Sequence, residues 1–280
     1  MCCPVHLCEI PVINFFNERN ELISGHLRNS AVKKIELRGM LYQTQGIVFH
    51  TVPYSDNRVI AKIYTRSFGL QSFIVTVSRT KSGKIKSPLL QPLTQLELRI
   101  EKKEKSHLHA VREITLAVPY AHLHNDIVKT TLALFVAEVL YKSVKEEEAN
   151  EGLYEFISHS LQVLDISHEG TANFHLVFMM NLTRYLGFFP QENTEGPNSL
   201  FDLVNGTFFV KTPQHFNSLD PVESRLFEMI FHTDYEHMHE LQLNGEKRKI
   251  VLNALVRYYE AHLQSMQKIQ SHEVLAQILE

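Results

Sequence analysis

Between Met40 and Val118, apolar and polar residues alternate in short runs broken by turn residues, the pattern of strands buried on one face. Gly46–Val52 predicts a first strand, closed by Pro53 and the polar Ser55-Asp56-Asn57 turn. Arg58–Arg66 follows, with Val59, Ala61 and Ile63 on one face and Arg58, Ile60, Lys62, Tyr64 and Arg66 on the other. Phe68-Gly69 turns into a third strand, Leu70–Ser78. Pro92–Lys103 alternates most regularly, and Leu108–Val118 supplies a fifth. Five consecutive strands with no helix of ten residues between them predict a small closed barrel such as the OB-fold.

From Asn125 the period changes to that of helices. Ile127–Val144 is apolar enough for a buried helix, and Asn150 opens a second with Leu153, Ile157, Leu161 and Leu164 at 3–4 spacing. A third runs from about Ala172 to Leu186 and stops at Gly187. Asp220-Pro221-Val222-Glu223 is a capping box with proline at the first helical position, so a helix covers Pro221–His232; another begins at Gly245. The non-helical insert 187–219 carries Asn205-Gly206 between Phe201, Leu203 and Phe208, Val210, which predicts a small hairpin protruding from the bundle. The expected architecture is therefore α+β and multidomain: an N-terminal five-stranded OB-fold barrel over 40–120, then an all-α helical domain over 121–280. Residues 1–39 show neither period and read as a leader, disordered or an upstream extension, with Met1 and Met40 both open as the start.

Charge adds a division that the total conceals. The 280 residues carry a net charge of −3, which taken whole argues against a nucleic-acid partner. Residues 40–106, however, hold eleven Lys and Arg against four Asp and Glu, net +7, whereas 107–280 hold twelve against twenty-three, net −11. The barrel is thus the candidate for a polyanion and the helical block for protein partners. Its most basic stretch joins the third and fourth strands: Ser78-Arg79-Thr80-Lys81-Ser82-Gly83-Lys84-Ile85-Lys86-Ser87-Pro88, four cations and no anion. Such a strip neutralises a phosphate backbone by displacing its counterions, without reading base edges. The Tyr64, Phe68 and Phe73 rings are expected as stacking platforms for unpaired bases.

Other chemistries find little support. All three cysteines lie within the first eight residues, so the body has no disulfide framework and a cytoplasmic setting is expected. Sixteen histidines include the pairs His107/His109, His122/His124 and His237/His239, but no His-Glu-x-x-His pattern accompanies them, and no metal or other cofactor is expected. There is no Gly-x-Ser-x-Gly elbow, no complete phosphate loop and no run of 18 apolar residues, so neither an enzyme nor a membrane span is expected. A nucleic-acid-processing enzyme with an OB module is the alternative.

The order of short stretches resembles the bacterial recombination mediator family RecO. These are Gln45-Gly46-Ile47-Val48, Tyr64-Thr65-Arg66-Ser67-Phe68-Gly69-Leu70, Ser78-Arg79-Thr80-Lys81-Ser82, and Pro88-Leu89-Leu90-Gln91-Pro92-Leu93-Thr94 leading into Leu96-Glu97-Leu98. The resemblance covers about residues 40–280 and is clearest from 40 to 120. It implies DNA repair and homologous recombination, with binding of single- and double-stranded DNA and annealing of complementary strands. It also implies cooperation with RecR, contact with the acidic C-terminal tail of single-stranded DNA-binding protein, indirect help in loading RecA, and a nucleoid-associated location. Many members carry a four-cysteine zinc knuckle where this chain has Leu186–His215. That stretch has no cysteine, which makes the hairpin a degenerate, zinc-knuckle-like insert. Carried over by position, Arg79, Lys81, Lys84, Lys86 and the strand residue Arg66 are the expected DNA contacts.

Overall fold

The computed structural model describes residues 40–78, 85–102, 106–210 and 217–266, together with 269, 271 and 275. The expected leader 1–39 and the loop cations Arg79, Lys81 and Lys84 lie outside the described residues, as does His215. The five strands are β1 (Met40–Ser55), β2 (Arg58–Thr65), β3 (Gly69–Thr76), β4 (Gln95–Lys102) and β5 (Leu108–Leu116). They close into a barrel in the order β1-β2-β3-β5-β4. β1 begins six residues earlier than its alternation predicts, because its first half pairs with β4 (Met40↔Lys102 to Ile47↔Gln95) and its second half with β2. Gly46 sits where both neighbours crowd the strand. A Cβ there would lie 2.6 Å from Ile63 and 2.8 Å from Leu98. A short parallel pairing, Ser72↔Leu108 to Ile74↔Ala110, closes the barrel between β3 and β5.

Among the described residues, five full helices follow: α1 (Ile127–Ser143), α2 (Glu151–Ile166), α3 (Phe174–Leu186), α4 (Pro221–Phe231) and α5 (Gly245–His262). Their starts are set by side chains that accept otherwise unpaired backbone N–H groups. Asp126 accepts from Lys129, Asn150 from Leu153 and Asn244 from Lys247. At α4 the capping box is complete: the Asp220 carboxylate accepts from Val222 and Glu223 while Glu223 accepts from the Asp220 N–H. The hairpin β6 (Leu200–Asp202) and β7 (Thr207–Phe209) forms around Asn205-Gly206. It does not protrude as predicted. Phe201 is fully buried, its ring 4.3 Å from that of Phe227 and 5.3 Å from that of Tyr258, so the hairpin is a wall of the bundle core.

The barrel and the bundle share a core. Val48, Ala61, Ile63, Phe73, Val75, Leu96, Leu98 and Ile100 fill the barrel interior. Ile47, Phe49, Tyr64, Leu70 and Leu93 belong instead to the cluster continuing through Phe135, Leu140, Leu161 and Phe178. The unbroken apolar run Ile47-Val48-Phe49 is the sequence trace of this, since a strand covered on both faces loses its alternation. Polar ties border the seam. Leu70 donates its N–H to the Glu146 carbonyl at 2.9 Å, and Gln95 bonds the Tyr120 hydroxyl at 2.8 Å. Ser158 donates to Gln95 at 2.8 Å. The connector between barrel and bundle is pinned by Asp165, whose carboxylate accepts the N–H groups of Ala121 (3.0 Å), His122 (2.8 Å) and Leu123 (2.7 Å).

Gly69 turns β2 into β3 at φ +64°, against the 145–150 connection. A Cβ at this position would lie 2.3 Å from the Glu148 carbonyl oxygen and 2.7 Å from that of Glu146. Gly69→Ala combines a disfavoured backbone conformation with a clash against backbone, so a loss of roughly 2–4 kcal/mol is expected. Chemical denaturation of the variant measures it, and a loss below roughly 0.5 kcal/mol, the usual range of an innocuous surface change, would contradict this packing.

Candidate nucleic-acid interface

The loop that carries the basic strip leaves the barrel at Ser78 and returns at Ile85, where the Ser78 N–H donates to the Ile85 carbonyl at 2.8 Å. Val77 is tied to the Asn57 carbonyl at 2.8 Å, so the loop root and the β1–β2 turn lie side by side. A groove of about 540 Å³ opens beside them, lined by Asn57, Thr76, Val77, Ser78, Ile85, Val111 and Arg112. The Ile85 side chain is buried in the barrel core, while Lys86 next to it is exposed. The root of the strip is thereby anchored at one end of the barrel, and Lys86 and Arg58 stand exposed beside it with no ion pair among the described residues.

The strand register extends this cationic edge into a face. His50, Lys62 and Ser72 are direct partners across β1, β2 and β3, and so are Val52, Ile60 and Ile74. Direct partners in antiparallel pairs share one face of the sheet, here the outward one. His50, Val52 and Thr76 are exposed, as is Arg58, and Lys62 is half-buried with its ammonium donating to the Ser72 hydroxyl at 2.6 Å. Tyr54, which is 59 % exposed, stands near the β1–β2 turn. Two arginines of β4 and β5 are compensated, one of them in the lining of that groove. Arg99 pairs with Glu113 at 3.7 Å, and the Arg112 guanidinium engages Glu101 with its Nε at 2.8 Å. Among the described residues, Lys86, Arg58 and Lys62 are therefore the barrel cations at the loop root and on the open β1–β3 face that meet no carboxylate.

Two of the three expected stacking rings are not available. Phe73 is fully buried among the barrel residues, and Tyr64 is fully buried in the seam, its ring parallel to Phe49 at 5.5 Å. Alternation placed Tyr64 on the outer face of β2, and it is there, but the bundle covers that end. Phe68 is half-buried, with the Lys102 ammonium 4.3 Å from its ring centre and Tyr42 packed edge-on at 5.1 Å. Tyr54, which sequence reasoning passed over because it sits in a polar turn, is an aromatic ring on the open side.

Arg66 also lies at the covered end of β2. Its guanidinium bonds Glu151 through Nε at 3.1 Å, Glu155 through Nη2 at 2.8 Å and the Gln45 side chain through Nη1 at 3.3 Å. The Glu151 hydrogen bond, and then both carboxylates by their charge, hold it more firmly protonated than a free arginine. The side chain ties the β2–β3 turn to the first turns of α2.

No group of three or more His, Cys, Asp or Glu is arranged to hold a metal ion among the described residues. His109 is buried and bonded to Gln71 at 3.2 Å, and burial lowers its pKa, while His107 is exposed before β5 begins. Burial and the neighbouring Arg248 push His175 down to about 3, so it is a neutral core residue. The His237/His239 pair lies in a surface turn in which His237 bonds Asp234 at 2.7 Å.

Family comparison decides what this arrangement belongs to. The model of the recombination protein O N-terminal domain matches residues 40–120, and that of its C-terminal domain matches residues 124–270. This chain is a member of the RecO family. It is 34 % identical over 239 residues to the DNA repair protein RecO of Phocaeicola vulgatus, covering 85 % of this chain and 99 % of that protein. It is 35 % identical over 242 residues to that of Bacteroides fragilis, covering 86 % and 100 %. The same identity over 242 residues relates it to that of Flavobacterium psychrophilum, covering 85 % and 99 %. The two matched segments coincide with the barrel and the helical bundle, so the family's N-terminal model corresponds here to the closed OB-type barrel. No helix among the described residues is long and apolar enough to cross a membrane.

Proposed function

We propose that this protein is a DNA repair and homologous recombination mediator that binds single- and double-stranded DNA and anneals complementary strands. On this reading it cooperates with RecR, contacts the acidic tail of single-stranded DNA-binding protein, and helps load RecA in the cytoplasm at the nucleoid. The observation that carries the reading is the exposed pair Lys86 and Arg58, with no ion pair among the described residues, beside the root of the Arg79–Lys84 strip, in a chain of this family. Arg79, Lys81, Lys84 and Lys86 contact phosphates. Arg66, assigned the same role from sequence, instead holds the barrel against the bundle, because Glu151, Glu155 and Gln45 already take its donors. Tyr54 replaces Tyr64 and Phe73 as the stacking ring.

The mechanism needs no bond chemistry. Ammonium and guanidinium groups neutralise phosphates on two strands at once, displacing counterions and lowering the repulsion that keeps complementary bases apart. Purified protein is expected to accelerate annealing of complementary oligonucleotides without nucleotide and in EDTA, with a rate that falls steeply as salt rises. Strand cleavage dependent on a divalent ion, with no annealing in EDTA, would overturn this in favour of a processing enzyme.

A further inference from the structure

Where the open β1–β3 face meets the bundle, side chains from both parts form a cationic, aromatic step. The His50 ring lies 4.7 Å from the Tyr141 ring of α1 at 25°, a stacked pair. His50 is exposed, and Tyr141 is half-buried with the Lys145 ammonium 4.9 Å from its ring centre. Lys62 is the direct cross-strand partner of His50. Lys145 is anchored by donating to the Tyr141 carbonyl at 2.5 Å, and Lys62 by donating to Ser72. Neither ammonium meets a carboxylate among the described residues, whereas the nearby Lys142 is neutralised by Glu138 at 2.8 Å. Burial, and then the charges of Lys62 and Lys142, lower the pKa of Lys145, so these ammonium groups do feel one another.

We infer that this step is a nucleotide subsite for one unpaired strand, with a base on the open face of His50 and its phosphate between Lys62 and Lys145. The inference rests on the DNA-binding reading and extends its path from the loop root, past Arg58 and Lys62, onto the first helix of the bundle. Lys62 beside His50 and Lys145 over Tyr141 flank the stacked rings on the same side of the seam, so a phosphate next to a base on His50 is attracted by both charges. Imidazole and phenol rings stacked beside cations suit a base with its phosphate, since stacking tolerates any base. An acidic peptide would use the cations and leave the exposed ring idle.

The test uses the full chain and a fluorescein-labelled oligothymidylate, with affinity measured by anisotropy across a salt series. Lys62→Ala with Lys145→Ala is expected to weaken binding on the order of tenfold and to reduce the salt slope by roughly 0.7–1.4, one to two single-strand contacts at about 0.7 each. His50→Ala is expected to abolish photocrosslinking at position 50 by an oligonucleotide carrying 5-iodouracil, resolved by sequencing the crosslinked peptide, while any crosslink at Tyr54 persists. His50 and Lys145 are exposed, and equal melting curves exclude misfolding. Unchanged affinity, slope and crosslinking, in a protein whose Arg79/Lys81/Lys84/Lys86 variant loses binding, would overturn the subsite alone. Failure of the wild-type protein to bind would overturn the DNA reading with it. A glutamate-rich peptide bound at these lysines without any oligonucleotide crosslink would also overturn the subsite.

Discussion

Replacing Arg79, Lys81, Lys84 and Lys86 together by glutamate is expected to weaken binding of a labelled oligothymidylate by roughly 10²–10³-fold at about 0.1 M salt. The magnitude follows from counterion release. Four single-strand contacts contribute about 0.7 each to the slope of log K against log salt, close to three in all, which is nearly three decades at that concentration. Reversal of sign adds repulsion, so the loss exceeds that of the corresponding alanine variant. The slope itself should flatten by roughly three, and annealing should fall with it. Fold should not, because the strip enters and leaves the barrel through Ser78 and Ile85, which the substitutions leave intact. Affinity within about twofold of wild type would remove the loop from the interface and leave the open β1–β3 face to account for binding.

Asp165→Ala is expected to cost about 3 kcal/mol of stability, because three backbone N–H groups of the barrel–bundle connector lose a charged acceptor at a site where Asp165 is only 6 % exposed. For a unit of this size that lowers Tm by roughly 6–12 °C. Burial by itself would raise this carboxyl. The N–H groups of Ala121, His122 and Leu123, aided by the Lys129 ammonium, outweigh it and hold the pKa below the usual carboxylate range. A folded pKa below the unfolded value of about 3.9 means that the stabilisation is complete above that value and is lost as pH falls through the folded pKa. Asp165→Asn should therefore be less stable than wild type at neutral pH, and the difference should narrow as the medium is acidified below about pH 4. Thermal melts of the two proteins across that range test it; a gap that stays constant with pH would show that the charge contributes nothing.

Single-residue features explain how much of this was legible beforehand. Period-2 runs located all five barrel strands, because a strand with one wet face must alternate, and the Asp220-Pro221-Val222-Glu223 signature located α4 because capping is a local exchange of hydrogen bonds. Alternation could not distinguish Tyr64 from Lys62, both on the outer face of β2, since only the docked bundle buries one and leaves the other accessible. Arg66 read as a spare cation because its acceptor Glu151 is 85 positions away. His50 and Tyr141 gave no signal at all: their stacking exists only once α1 lies across β1.

Local rules and net charge were therefore enough to establish a basic barrel followed by an acidic helical block, and to find the strip between its third and fourth strands. These depend on neighbours within a few residues or on sums that ignore position. Which cations stay uncompensated, which rings stay exposed, and that barrel and bundle share one core were decided by the tertiary structure alone. Each depends on pairs of groups brought together from distant points of the chain, and charge compensation and burial are properties of those pairs.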